Sequence, residues 1–238
     1  AIGGWRIAAS HSDSPCWKIK ADMPENEGCR RLSVEGYGGM IMASWLDRPL
    51  TVGGRVLVKT QDGVQSRLVY IDRDLLVIPS LAIHFQRDVN KGKVFNPQID
   101  MQPLWGPAGS RTLTDLICEE LGITAEEILD WDLQLVTRQA PVQIGPDNEY
   151  FMAPRIDDLE CAATTLLAFL DASGEADSAC APVWAMFDNE EVGSSSRMGA
   201  ESSFLRDVLD RILDAVPHSG QAAARAMANS FMLSADNA

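Results

Sequence analysis

Four places in this chain set acidic or imidazole side chains just after apolar, strand-like runs or at the start of an apolar helical pattern. His11 and Asp13 follow "WRIAAS", and Asp157 and Asp158 lie in "RIDDL". Glu190 and Glu191 follow "VWAMF", and Asp236 follows "FMLSA". In open α/β sheets ligands bind beyond the carboxyl ends of the strands, so loops far apart in sequence can converge there. Imidazole with carboxylates, and no thiolates, is ligand chemistry for zinc, manganese or cobalt. Two ions held close together need a shared ligand, and a carboxylate supplies one oxygen to each. Such a pair holds a nucleophilic water, lowers its pKa and neutralises charge developing on an attacked carbonyl. A further carboxylate, unligated, then takes the water's proton. The adjacent Glu190-Glu191 pair can divide that work, one residue on a metal and one facing the water.

Each of these residues alone has a plainer reading. A lone histidine is more often packed or solvated than ligating. One of Asp157 and Asp158 suits an N-cap. Asp13 either accepts the second ring proton of His11 or begins the turn at "DSP", and Asp236 is an ordinary loop residue by type. Their joint placement at strand ends carries the argument.

The elements that must position these groups fall into two textures. "WRIAAS" reads as a strand, and "GGMIMASWL" (residues 38–46) as another. From "DRPLTVGG" onward the chain turns β-rich, with "RVLVKTQDGVQSRLVYI" a hairpin around Asp62-Gly63. "TLTDLICEELGI" is helical in period, as is "EEILDWDLQLV" after a capping box at Thr124 and Glu127. After Phe151 strands alternate with helices: "RIDDLECAATTLLAFLDA" and "AESSFLRDVLDRILDA" are helices, "GQAAARAMANS" a shorter one, and "PVWAMF" and "FMLSA" are strands. The expected fold is α/β, a discontinuous domain of residues 1–47 and 146–238 interrupted by a β-rich insert of residues 48–145.

Composition narrows the classes. A net charge of −14 argues against nonspecific nucleic-acid binding, which relies on basic surface. No apolar run approaches the roughly 20 residues that span a bilayer. The five scattered cysteines have no CxxC spacing, and "AIGGWRIAAS" has neither a basic n-region nor an apolar h-region. Free thiols in a reducing cytoplasm follow as the expectation. The chain opens without Met and halts at "FMLSADNA", so a longer parent protein is also expected.

"GWRIAASHSDSPCWKIK", "WLDRPLTVGGRV", "IPSLAIHFQRDVN", "APRIDDLECA", "FDNEEVGSSS" and "MLSADNA" together resemble, in order, the motifs of the aspartyl aminopeptidase family of metallopeptidases. The resemblance implies a zinc-peptidase α/β domain, with a central sheet flanked by helices, and an inserted β-rich dimerisation domain. It implies two divalent ions, zinc or else cobalt or manganese, and removal of N-terminal acidic residues from peptides. Carried over residue by residue, His11 matches a metal ligand and Asp13 the carboxylate that orients it. Asp157 matches the bridging ligand, and Asp158 stands where the family usually has Asn. Glu190 matches the general base, Glu191 a ligand of the metal also reached by the end of the chain, and Asp236 the remaining carboxylate ligand, paired with the metal held by His11. His84, in "LAIHFQR", matches a histidine implicated in activity that can approach a neighbouring subunit's site. The family's last metal ligand, a histidine downstream of "SADxA", has no counterpart in these residues, and His218 reads as a loop residue rather than a substitute. Self-association into dimers and a larger closed particle is implied, with the edges near "RVLVKT" and "SRLVYI" as pairing candidates.

Two other functions remain open from sequence. One is a related two-metal carboxypeptidase or deacylase, for which Arg48 or Arg87 would hold a substrate carboxylate. The other is a non-catalytic assembly subunit with an incomplete metal site.

Overall fold

A computed structural model describes residues 2–20, 25, 26, 28–174, 179–216 and 220–237. His218 lies outside the described residues. The chain divides into two compact units, Ala1–Ser14 with Arg155–Ala238, and Pro15–Pro154.

In chain order, β1 (Gly4–His11) opens the first unit. The second unit follows with β2 (Cys16–Ile19), β3 (Glu25–Asn26), β4 (Cys29–Arg31) and β5 (Val34–Tyr37). Its long hairpin is β6 (Leu50–Thr60) and β7 (Gly63–Tyr70). The one-turn helix α1 (Pro97–Asp100), β8 (Leu104–Pro107), α2 (Leu113–Leu121) and β9 (Ile128–Thr137) come next. A short hairpin, β10 (Val142–Ile144) and β11 (Tyr150–Met152), completes this unit. The first unit resumes with α3 (Ile156–Ala172), β12 (Cys180–Phe187), α4 (Phe204–Asp214), α5 (Ala222–Ala228) and β13 (Phe231–Ser234).

The first unit is built on a parallel sheet of order β12-β1-β13. Parallel neighbours need long crossovers, and helices supply them here. Pairing runs from Gly4↔Cys180 to His11↔Phe187 on one side of β1 and from Arg6↔Phe231 to Ala9↔Ser234 on the other. All three strands therefore end at the same margin. Trp5, Ile7, Ala9, Ala185 and Phe187 pack with Leu209 and Leu213 of α4 and Ala226 of α5. Leu209 and Leu213 are four residues apart, so they share one face of α4. This is the expected α/β fold.

The second unit is an antiparallel sheet of order β5-β2-β9-β6-β7 with α2 among its elements. Its core gathers Trp17, Leu32, Leu50, Val52, Ile78, Met101, Ile117, Leu133 and Leu135. Thr112 caps α2 through its hydroxyl, which accepts from Asp115 N at 3.1 Å, while the Asp115 carboxylate accepts from Thr112 N at 2.7 Å. Gly54 has φ +148°, and a Cβ there would stand 2.2 Å from the Asp132 carbonyl oxygen, so only glycine fits between β6 and β9.

Several local expectations are corrected. "EEILDWDLQLV" is not a helix: the capping box at Thr124 and Glu127 starts only a 3-10 turn, Ala125–Glu127, before β9. Leu133 and Leu135 are buried two residues apart, a strand period that sequence periodicity left hidden behind the acidic residues. "GGMIMASWL" forms a 3-10 turn at Met42–Trp45 rather than a strand. "RVLVKT" is no free edge, because β6 lies between β9 and β7; β7 alone of that hairpin is at the sheet margin. The units change over at Ser14/Pro15 and Pro154/Arg155, whereas composition draws the lines at 47/48 and 145/146. The reason is strand pairing: β2 joins β5 and β9, so residues soon after β1 already belong to the second sheet.

Candidate metal centre

The site is assembled at the shared margin of β12, β1 and β13. His11 is the last residue of β1 and is 4% exposed. Its Nδ1 lies 3.0 Å from the Asp13 carbonyl oxygen and 3.3 Å from Asp13 Oδ1. With Nδ1–H donated to Asp13, the neutral ring turns a lone pair on Nε2 toward the opposite side. There Nε2 stands 3.2 Å from Asp157 Oδ1, 3.5 Å from Asp236 Oδ1 and 4.0 Å from Glu190 Oε2.

Each partner is delivered by a break in regular structure. Asp157 (φ −77°, ψ 109°) and Asp158 (φ −120°, ψ 23°) are non-helical at the head of α3, and the peptide joining them is cis. The Ser14 hydroxyl donates to the Asp157 carbonyl at 2.9 Å. Asp158 is fully buried, and its Oδ2 accepts from the His11 backbone N–H at 3.0 Å rather than acting as a helix cap. After β12, Asn189 takes a left-handed conformation (φ 63°) and starts the 3-10 turn Glu190–Val192. Gly193, at φ 97°, closes that turn, which explains the glycine after the acidic pair. Asp13 accepts from the N–H groups of Glu190 (3.1 Å) and Glu191 (3.2 Å), binding the β1 end to the acidic turn. Beyond β13, Asn237 Nδ2 donates to the Ile156 carbonyl at 3.0 Å and ties the Asp236 loop to the head of α3.

The structure therefore brings His11, Asp13, Asp157, Glu190 and Asp236 into one set of contacts. One ligand atom each from His11, Asp157, Asp158 and Asp236 lies within 4.8 Å of all the others. Glu191 is not in that group. Its carboxyl is pushed up to about 7 by burial and then by the Asp157 charge, with the His11 imidazole opposing. His84 is exposed in a turn of the second unit. Arg48 donates to Gln139 Oε1 at 2.7 Å within the second unit, and Arg87 is exposed there. Sequence reasoning missed the roles of Ser14, Asp158 and Asn237. Asp158 and Asn237 each sit beside a residue it did single out, and adjacency was the only signal.

The donor set fits a divalent cation. Burial pulls the His11 pKa down, yet the charges of Asp158, Asp13, Asp236 and Glu190 outweigh it and the net shift is upward. Carboxylates crowded around one imidazole repel one another unless a cation or proton compensates. The Cys161 thiol also feels this excess of negative charge: hydrogen bonding to Asp158, then burial, push it up to about 11. Nitrogen and oxygen donors without thiolate are what zinc or manganese take.

An α/β sheet with an imidazole–carboxylate cluster beyond its strand ends is an arrangement suited to holding a divalent cation. The family described as aminopeptidase I zinc metalloprotease (M18) matches residues 1–238, and the chain belongs to it. A protein of Clostridium acetobutylicum called probable M18 family aminopeptidase 2 is 39% identical over 244 residues, covering 99% of this chain and 56% of that one. The chain thus spans about half the length of the curated relatives it matches. Among solved structures, the complex of Ape4 and Nbr1 is similar with a TM-score of 0.90 and 34% identity, over 99% of this chain and 50% of that one. The S. cerevisiae mApe1 dodecamer is similar with a TM-score of 0.78 and 27% identity, over 98% and 55%. Among the described residues, no helix is long and apolar enough to cross a membrane.

Proposed function

We propose that this chain contributes the metal-binding α/β unit of an aminopeptidase that hydrolyses N-terminal residues from peptides. The observation that carries the reading is His11 Nε2 facing Asp157, Asp236 and Glu190 at 3.2–4.0 Å beyond the ends of parallel strands. His11, Asp157 and Asp236 would hold one divalent ion, and Asp157 and Glu191 would share in a second, with zinc as the metal the family description supports. Such ions, when bound, acidify the attacking water and neutralise charge on the scissile carbonyl.

The remaining steps belong to the chain itself. Asp13 holds the His11 ring by Nδ1 and steadies the backbone of Glu190 and Glu191. Glu190 is half-exposed and free to meet substrate, so its carboxylate removes the proton from water and returns it to the leaving amine. Carboxylates around the site would also receive the substrate's free α-amino group, which favours an exopeptidase. A preference for N-terminal Asp or Glu rests on the ordered motif resemblance. So does a part for His84 as hydrogen-bond donor to the substrate carbonyl oxygen in a neighbouring subunit. The name of the mApe1 dodecamer supports a homo-oligomer; assembly through the inserted unit rests on the motif resemblance, and a cytoplasmic location on the scattered free cysteines.

The test is hydrolysis of peptides with free Asp, Glu or Leu N-termini, beside N-acylated amino acids, before and after chelation. The expected result is release of the acidic N-terminal residue, lost on chelation and restored by zinc. Activity on N-acylated amino acids alone would sink the aminopeptidase reading in favour of a deacylase.

A further inference from the structure

Asp158 carries more charge than its visible hydrogen bond requires. Its Oδ2 accepts the His11 backbone N–H at 3.0 Å, a task an uncharged amide oxygen performs equally well. Its Oδ1 is buried outside hydrogen-bonding geometry, and the neighbouring Cys161 thiol, pushed up to about 11, is neutral and brings no counter-charge. The residue is fully buried, and an Asp158 oxygen belongs to the group whose ligand atoms lie within 4.8 Å of one another. Burying an ionised carboxylate costs several kcal/mol unless a counter-charge compensates. The only imidazole of the cluster is already shared by Asp13, Asp157 and Asp236. The compensation left is a cation at the group or a proton on the carboxyl, and a carboxyl kept protonated would leave Zn2+ affinity unchanged in Asp158→Asn.

We infer that Asp158 is a positioning and charge-supplying residue of the metal centre: it anchors the end of β1 through Oδ2 and offers its second oxygen to the field of the cation held by His11, Asp157 and Asp236. This rests on the metal-centre reading above. The carboxylate is then a burden without metal and an asset with it. In the metal-free protein it adds one more negative charge to those of Asp13, Asp157, Glu190 and Asp236 around His11. In the loaded protein the same charge draws the cation in. Its sign in stability reverses with occupancy, which no purely structural role would produce.

The experiment uses the full-length protein, stripped by chelation, and measures Zn2+ affinity by competition with a chromophoric chelator together with thermal unfolding. Asp158→Asn keeps an acceptor for His11 N–H and removes the charge; Asp158→Ala removes both. The expected result is Zn2+ affinity lower by about 10- to 100-fold in Asp158→Asn, the range seen when partners of metal ligands are lost. The metal-free melting temperature of that variant should equal or exceed the wild-type value, while Asp158→Ala melts lower. Unchanged Zn2+ affinity in Asp158→Asn, with affinity lost in Asp157→Ala, overturns the inference and leaves the metal centre standing. Metal-free Asp158→Asn melting as low as Asp158→Ala also overturns it, since the charge would then be structural. Wild-type protein that binds no Zn2+ overturns both readings.

Discussion

The two units of this chain bury different things. The antiparallel unit closes over aliphatic and aromatic side chains, and Thr51, whose hydroxyl donates to the Ile71 carbonyl, is its one buried polar residue among those described. The parallel unit buries Ser10, His11, Asp158 and Thr165. His11 and Asp158, the buried imidazole and carboxylate among the described residues, are both in it, and both belong to the cluster at the strand ends. Hydrophobic burial stabilises in proportion to area, whereas a buried charge must be compensated. The second unit thus has the makeup of a scaffold, and the first holds polar groups buried at its strand ends at a cost in stability.

That contrast can be broken by measurement. The largest effect is expected at Glu190, where Glu190→Gln should lower turnover about 10²–10⁴-fold with zinc content and melting temperature retained. Near wild-type turnover would remove Glu190 from the proton-transfer role. In the other unit, Ile117→Ala empties a fully buried position on α2 and should cost about 2–5 kcal/mol in denaturant unfolding. Zinc affinity should not follow it; a parallel loss would mean the scaffold and the site are one energetic unit.

Asp13→Ala removes the partner of His11 Nδ1 and the acceptor of two backbone N–H groups. Metal affinity should fall about 10- to 100-fold in a competition titration, and a fall in unfolding stability alone would make Asp13 merely a turn residue. The smallest effect is Thr112→Ala, which deletes the α2 cap and should cost about 1 kcal/mol of unfolding free energy with no change in turnover.

The contrast also governs what could be read without coordinates. Helices with a long amphipathic period and a clean stop were legible: α3 ends beside Gly174, and α4 carries Leu209 and Leu213 on one face. β9 was not, because the acidic residues of "EEILDWDLQLV" and a genuine capping box both pointed to a helix, and only pairing with β6 and β2 overrides that local preference. The same holds for residues 15–47, whose membership of the second unit depends on partners a hundred residues away.

At the site, residue types and their position after apolar runs were enough to nominate His11, Asp13, Asp157, Glu190, Glu191 and Asp236, since ligand chemistry is a property of the side chain. Which of them meet was decided by parallel pairing, which brings β1, β12 and β13 to a common end. Asp158 shows the limit most plainly. By sequence it is one of two adjacent aspartates, equally suited to capping a helix, and only packing buries it against the His11 N–H. Burial is decided by what neighbours the tertiary fold supplies, and that information is spread over the whole chain rather than held in any local stretch.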